Sequence, residues 1–190
     1  MLIRHSVMGF AHKVLASRAG IFVPMFDAFV PKHRNVLAVL GRPDGRFLIP
    51  ASNIVTDAGD IYYAQLGASE ATTNAFGVHE LASAGTPGKA ATRATFTPIA
   101  STEKAHTATY PKTNDGDADN TGAGTDIVTY LATYAKVDFN ATGITHGMIT
   151  NVTPGASEPL LTGYAFAASF DKTADDTLKV FVNHTFTGAS

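Results

Sequence analysis

Between Ile127 and Thr187 apolar and polar side chains alternate with a period of two, in four blocks separated by turn-forming residues. That period is the mark of an extended strand, whose successive side chains point to opposite faces. The blocks are Ile127 to Phe139, Ile144 to Thr150, Leu160 to Phe170 and Thr177 to Thr187. In the first, Ile127, Leu131, Ala135, Val137 and Phe139 share one parity, and Tyr130, Tyr134, Lys136 and Asp138 the other. In the third, Tyr164, Phe166 and Phe170 share a face, and in the last, Leu178, Val180, Val182 and Phe186 alternate with Lys179, Asn183 and Thr185. The separators are Asn140-Ala141-Thr142-Gly143, the Gly/Ser/Pro loop from Pro154 to Pro159, and the polar turn from Asp171 to Asp176. Short strands at regular spacing, each with one buried and one wetter face, predict a mainly β protein: an antiparallel β-sandwich of jelly-roll type.

The rest of the chain is less regular. Val7, Phe10, Ala11, Val14 and Leu15 recur at helical spacing, with Ser6 able to cap and Gly20 to end the helix. Pro24, Pro31, Pro43 and Pro50 then exclude long helices. Asn35 to Leu40 and Phe47 to Ile49 read as two arms of a hairpin, joined by Arg42-Pro43-Asp44-Gly45. Ile61, Tyr62, Tyr63 and Leu66 fit a strand or a short helix. From Gly67 to Asp126 large apolar residues are sparse, and Ala, Thr, Gly and Ser fill the space. Such a stretch buries too little to offset its ordering entropy alone, which predicts a long extended arm held by neighbouring subunits. Ala91 to Pro98 is its best strand candidate. The division is therefore residues 1–50, an N-terminal helix and extended segment, and residues 51–190, a sandwich with an arm inserted at about 67–126.

Composition narrows the partners. Of 190 residues 16% are charged, with 14 Lys plus Arg against 16 Asp plus Glu, a net charge of −2. Binding nucleic acid through phosphate neutralisation needs a basic surface, so no nucleic-acid partner is expected. With no Cys, disulfides, thiolate metal sites and cysteine nucleophiles are excluded. The most apolar early run, Ile21 to Val30, is broken by Pro24 and Asp27. It suits neither a spanning helix nor a secretory leader. The expectation is a soluble chain made in a cytoplasm, with no membrane partner.

An ordered series of short motifs carries a resemblance. It runs through Asn53-Ile54-Val55-Thr56-Asp57-Ala58-Gly59, the Thr/Tyr-rich strand from Thr129 to Phe139, and Gly143-Ile144-Thr145-His146-Gly147. It continues through Leu160-Leu161-Thr162-Gly163, Phe166, Phe170 and Asp176-Thr177-Leu178-Lys179-Val180. The series resembles small virion structural proteins of tailed bacteriophages, among head-decoration, collar and tail-associated components. It covers roughly residues 53–66 and 127–187. His146 stands where similar proteins often carry an acidic residue. The resemblance implies a non-enzymatic component of a phage particle, in first place a protein that decorates or cements the capsid. Its partners would be major capsid or tail proteins and copies of itself, and its location the virion after synthesis in the host cytoplasm. A collar, tail or fibre-associated protein and a host-glycan receptor-binding module are the alternatives.

Local chemistry offers few sites. Asp115, Asp117, Asp119 and Asp126 occupy positions 1, 3, 5 and 12 of a calcium-loop spacing, but position 6 is Asn120 and no helical pattern flanks it. A solvated acidic loop is the competing reading. His5, His12, His33, His79, His106, His146 and His184 show no metal-binding helical spacing and read as structural or surface residues. There is no Gly-x-Ser-x-Gly elbow, and Gly85-Thr86-Pro87-Gly88-Lys89 lacks the spacing of a phosphate loop. Catalytic residues and an organic cofactor are not expected. Tyr62, Tyr63, Tyr110, Tyr130, Tyr134 and Tyr164 could line a sugar-binding face; packing inside the sandwich is the favoured reading.

Overall fold

The structure is a computed structural model that describes residues 21–23, 36–114 and 126–186. The expected N-terminal helix, Asp115, Asp117 and Asp119 lie outside these residues. The described elements are β1 (Ile21–Val23), β2 (Val36–Arg42), β3 (Gly45–Val55), α1 (Asp57–Gly67), β4 (Phe76–Gly85) and a 3-10 turn (Arg93–Thr95). They continue with β5 (Phe96–Pro98), β6 (Lys104–Ala105), β7 (Lys112–Asn114), β8 (Ile127–Tyr134), β9 (Ala141–Asn151), β10 (Leu160–Lys172) and β11 (Thr177–Thr185). No described helix is long and apolar enough to cross a membrane.

The protein is mainly β, and its described strands join one antiparallel sheet rather than two separate ones. The order is β5-β4-β9-β10-β3-β2-β11-β8-β7, with β1 on β3 and β6 on β4. The β2–β3 hairpin closes where the Pro/Gly signal places it, with Arg42 opposite Gly45. β2 in turn lies between β3 and β11, so that Ala38 faces Ile49 on one side and Val180 on the other.

The sheet curls until its ends meet. The segment around β6 bonds to both: His106 N–H donates to the Gly77 carbonyl of β4 at 3.1 Å, and Thr107 N–H to the Leu131 carbonyl of β8 at 2.7 Å. Tyr134 Oη adds a bond to the Thr102 carbonyl at 2.9 Å. One apolar cluster fills the interior, drawn from every long strand: Val36 and Leu40, Ile49, Leu81, Tyr130 and Tyr134, Ile149, Tyr164, Val180 and Val182. Closure of this kind removes the long bare edges that invite strand addition.

Three expectations need correction, and one left open is decided. The stretch assigned to an extended arm is built into the sheet in much of its described part. β4 pairs with β9 on one edge and with β5 and β6 on the other, and buries Phe76, Val78 and Leu81. Small residues do there what large apolar ones do elsewhere. Thr102 is buried, accepts from Leu81 N–H at 3.1 Å and donates to the Ile99 carbonyl at 2.7 Å. Second, residues 60–66, left open between strand and short helix, are helical. Thr56 caps α1 by accepting from Gly59 N–H at 3.1 Å, and Asp57 and Asp60 complement the helix dipole in its first turn. A Cβ on Gly59 would stand 2.3 Å from the Leu161 carbonyl oxygen, so only glycine lets α1 lie this close to β10.

Third, β8 stops at Tyr134, five residues short of Phe139. Asp138 accepts from Ala135 N–H at 2.8 Å and closes a turn that leaves Val137 90% exposed. In β8 the Tyr130–Tyr134 parity supplies the interior, while Thr129 and Leu131 on the other face are buried as well. Fourth, Ala91 to Pro98 is strand only in its last part: Arg93–Thr95 form a 3-10 turn and Phe96–Pro98 form β5.

Candidate functional site

One cleft lies beside the ends of β3 and β11. β2 begins at Val36, which pairs with Ala51 of β3 and Val182 of β11. Both neighbours run past it, β3 to Val55 and β11 to Thr185. Between these overhanging ends lies a cleft of about 370 Å³ lined by Asn53, Val55, Asp60, Tyr63, Asn183, His184, Thr185 and Phe186. α1 contributes Asp60 and Tyr63, and its position is set by the Thr56 cap and the Gly59 contact.

The walls differ in character. Asp60 pairs with Lys89 through Oδ2, and no other described side chain of the lining is an Asp, Glu, Lys or Arg. Phe186 is 45% exposed and sets its ring edge-on against Tyr63 at 4.9 Å. Its backbone N–H is tied to the Asp126 carbonyl at 2.8 Å. Asp126 itself is exposed at the entry to β8.

Behind the cleft lies a chain of buried polar rings. Tyr63 Oη lies 2.9 Å from Tyr130 Oη and 2.5 Å from His184 Nδ1. Burial pushes the His184 imidazole down to about 3, so the ring is neutral at ordinary pH. Burial raises both phenols, Tyr63 further through its neighbour Tyr130, so both keep their protons. Tyr63 Oη thus sits between Tyr130 Oη and His184 Nδ1, while His184 Nε2 has no hydrogen-bond partner. Deeper still, His79 is fully buried and packs edge-on against His106 at 5.0 Å. Neither ring nitrogen of His79 or His106 has a well-formed hydrogen bond. Burial holds His79 well below the ordinary histidine value, helped by His106 and His184. It also lowers His106, against the opposing Phe76 carbonyl.

Among the described residues no three His, Asp or Glu side chains converge where an ion could sit. The expected calcium set reaches the described residues only through Asp126. Of the tyrosines, Tyr130, Tyr134 and Tyr164 pack in the core, while Tyr63 forms part of the cleft. Phe186 was expected among the inward-alternating residues of the last strand, yet it lies past the end of β11 and half exposed. Asn53, Asp60 and Phe186 escape sequence reasoning because they lie far apart in the chain and only the register of β3 and β11 on β2 brings their elements together.

A second depression, of about 470 Å³, lies at the β2–β3 turn and is lined in part by Arg42, Arg46, Lys136 and Asp175. Arg42 is committed there to Asp176 at 3.3 Å and to the ring of Phe47. No protein-family model, curated protein or solved structure matches the chain.

Proposed function

We propose that this chain is a non-enzymatic structural component of a tailed-phage particle, acting as a decoration protein that cements the capsid through contacts between subunits. The observation that carries the reading is the apolar surface on and beside α1. Ile61 is 54% and Leu66 50% exposed on the helix, Ile54 is 39% exposed just before it, and Phe186 is 45% exposed against Tyr63. Large apolar side chains left exposed on and near α1 are what a contact surface requires. The low charged fraction and the series of short motifs that resembles virion proteins support the same reading. The closed sheet is taken as a variant of the sandwich that such proteins use. Contacts repeated over a symmetric shell would stabilise the particle by mass action.

The test is co-sedimentation of the purified chain with tailed-phage heads lacking it. Expected are saturable binding and heads that release DNA only at a higher temperature. An Ile61→Asp/Leu66→Asp variant, folded by circular dichroism, loses both. A chain that stays monomeric and never sediments with heads overturns the proposal.

A further inference from the structure

The cleft between the ends of β3 and β11 has a chemistry of its own, independent of any place on a particle. Its volume of about 370 Å³ is at the lower end of the range for small-molecule sites, enough for one ring-sized ligand. The one carboxylate of its described lining, Asp60, is offset by Lys89. An anionic group would meet no unpaired cation among the described lining residues. A wholly apolar ligand would strip water from Asn53, Asp60 and Thr185 without replacing its hydrogen bonds. What matches is a neutral molecule with one apolar face and a rim of hydroxyls.

We propose that this cleft binds a neutral saccharide unit, with Phe186 as the stacking platform and Asn53 and Asp60 as the hydroxyl-reading groups. A pyranose presents C–H bonds on one face and hydroxyls around its edge. Phe186 offers an exposed ring that packs edge-on against Tyr63 at 4.9 Å, on a backbone tied to the Asp126 carbonyl. That preorganisation lowers the ordering cost of binding. Asn53 lines the cleft with an amide able both to donate and to accept. The Asp60 oxygen not engaged by Lys89 can accept from a hydroxyl. Beneath them the Tyr130–Tyr63–His184 chain uses up the Tyr63 hydroxyl, so Tyr63 serves as rigid floor rather than as ligand.

The test is saturation-transfer difference NMR on the full chain. The probes are glucose, galactose, mannose, rhamnose, N-acetylglucosamine and N-acetylgalactosamine, each as the free methyl glycoside. Expected is transfer to at least one, strongest on ring C–H protons, and at least about fivefold weaker in Phe186→Ala and in Asn53→Ala. Phe186→Leu, which keeps apolar bulk and loses the flat ring, is expected to weaken it as well and guards against a folding defect. No transfer from any of the six overturns the proposal, as does transfer that survives all three substitutions. Sugar binding without head association would keep this inference and remove the particle reading; the reverse result would do the opposite.

Discussion

Arg93 grips Glu80 with two hydrogen bonds, Nε to Oε2 at 2.7 Å and Nη2 to Oε1 at 2.6 Å. The carboxylate is 2% exposed and belongs to β4; the guanidinium is 19% exposed and also reaches Glu103 at 3.2 Å. A planar two-point pair of this kind tethers the 3-10 turn to the sheet. Arg93→Met leaves a buried carboxylate alone, and should cost about 3–5 kcal/mol in urea unfolding. Glu80→Met combined with Arg93→Met should recover much of that loss. Equal destabilisation by the single and the double variant would contradict the assignment.

Acid should weaken the fold in a window set by histidine. His184, His79 and His106 all have folded values lowered by burial, His184 to about 3. The unfolded chain binds protons near the ordinary histidine value, so below it the unfolded state holds more of them. Stability is therefore full above about pH 6.5 and falls as pH drops, His184 alone removing about 2 kcal/mol between pH 7 and pH 5. Asp138, held below the ordinary carboxylate range chiefly by Lys104, contributes only at more acid pH. Urea midpoints across pH 7 to 5 test this, and His184→Gln should flatten the slope.

Removing a core histidine should do no harm. His79 is fully buried with both ring nitrogens unpartnered, a state that costs roughly 1–3 kcal/mol for an unmet polar group. His79→Leu keeps a similar volume and discards that cost. Its thermal midpoint should equal or exceed that of the parent, where an ordinary core substitution lowers it. A drop of several degrees would show that His79 has a partner after all.

Lys172 is buried at the end of β10 and caps carbonyls with its ammonium, Phe139 at 2.9 Å and Lys136 at 3.1 Å, over the Phe139 ring. It pins the turn that follows β8. Lys172→Met should strand those carbonyls and cost about 2–4 kcal/mol, with faster hydrogen exchange at Val137 and Asp138 as the local signature.

Period-two alternation made the strands of the last third legible, because a sheet with one interior face writes itself into the sequence directly. The β2–β3 hairpin was legible for a different reason: Pro43 and Gly45 carry their own backbone preferences. β4 was hidden. It is stabilised by pairing on both edges and by buried hydroxyls such as Thr102, neither of which leaves a hydrophobic pattern. The end of β8 was misplaced because Val137 continues the alternation while pointing into solvent at a turn made by Asp138. The cleft could not be read at all. It depends on the register of β3 and β11 on β2, and pairing register of that kind is not written locally.

The position of β2 between β3 and β11 sets a condition on biosynthesis. During translation β2 and β3 can form their hairpin early, yet the outer edge of Val36-Leu37-Ala38-Val39-Leu40 must wait for residues 178–182 to leave the ribosome. Until then the nascent chain carries an apolar strand with one bare side, the kind of surface that recruits other strands. Pairing across such a sequence distance is slow. Sheet closure thus waits for β11, and a product truncated before it would be a seed for aggregation rather than a smaller folded protein.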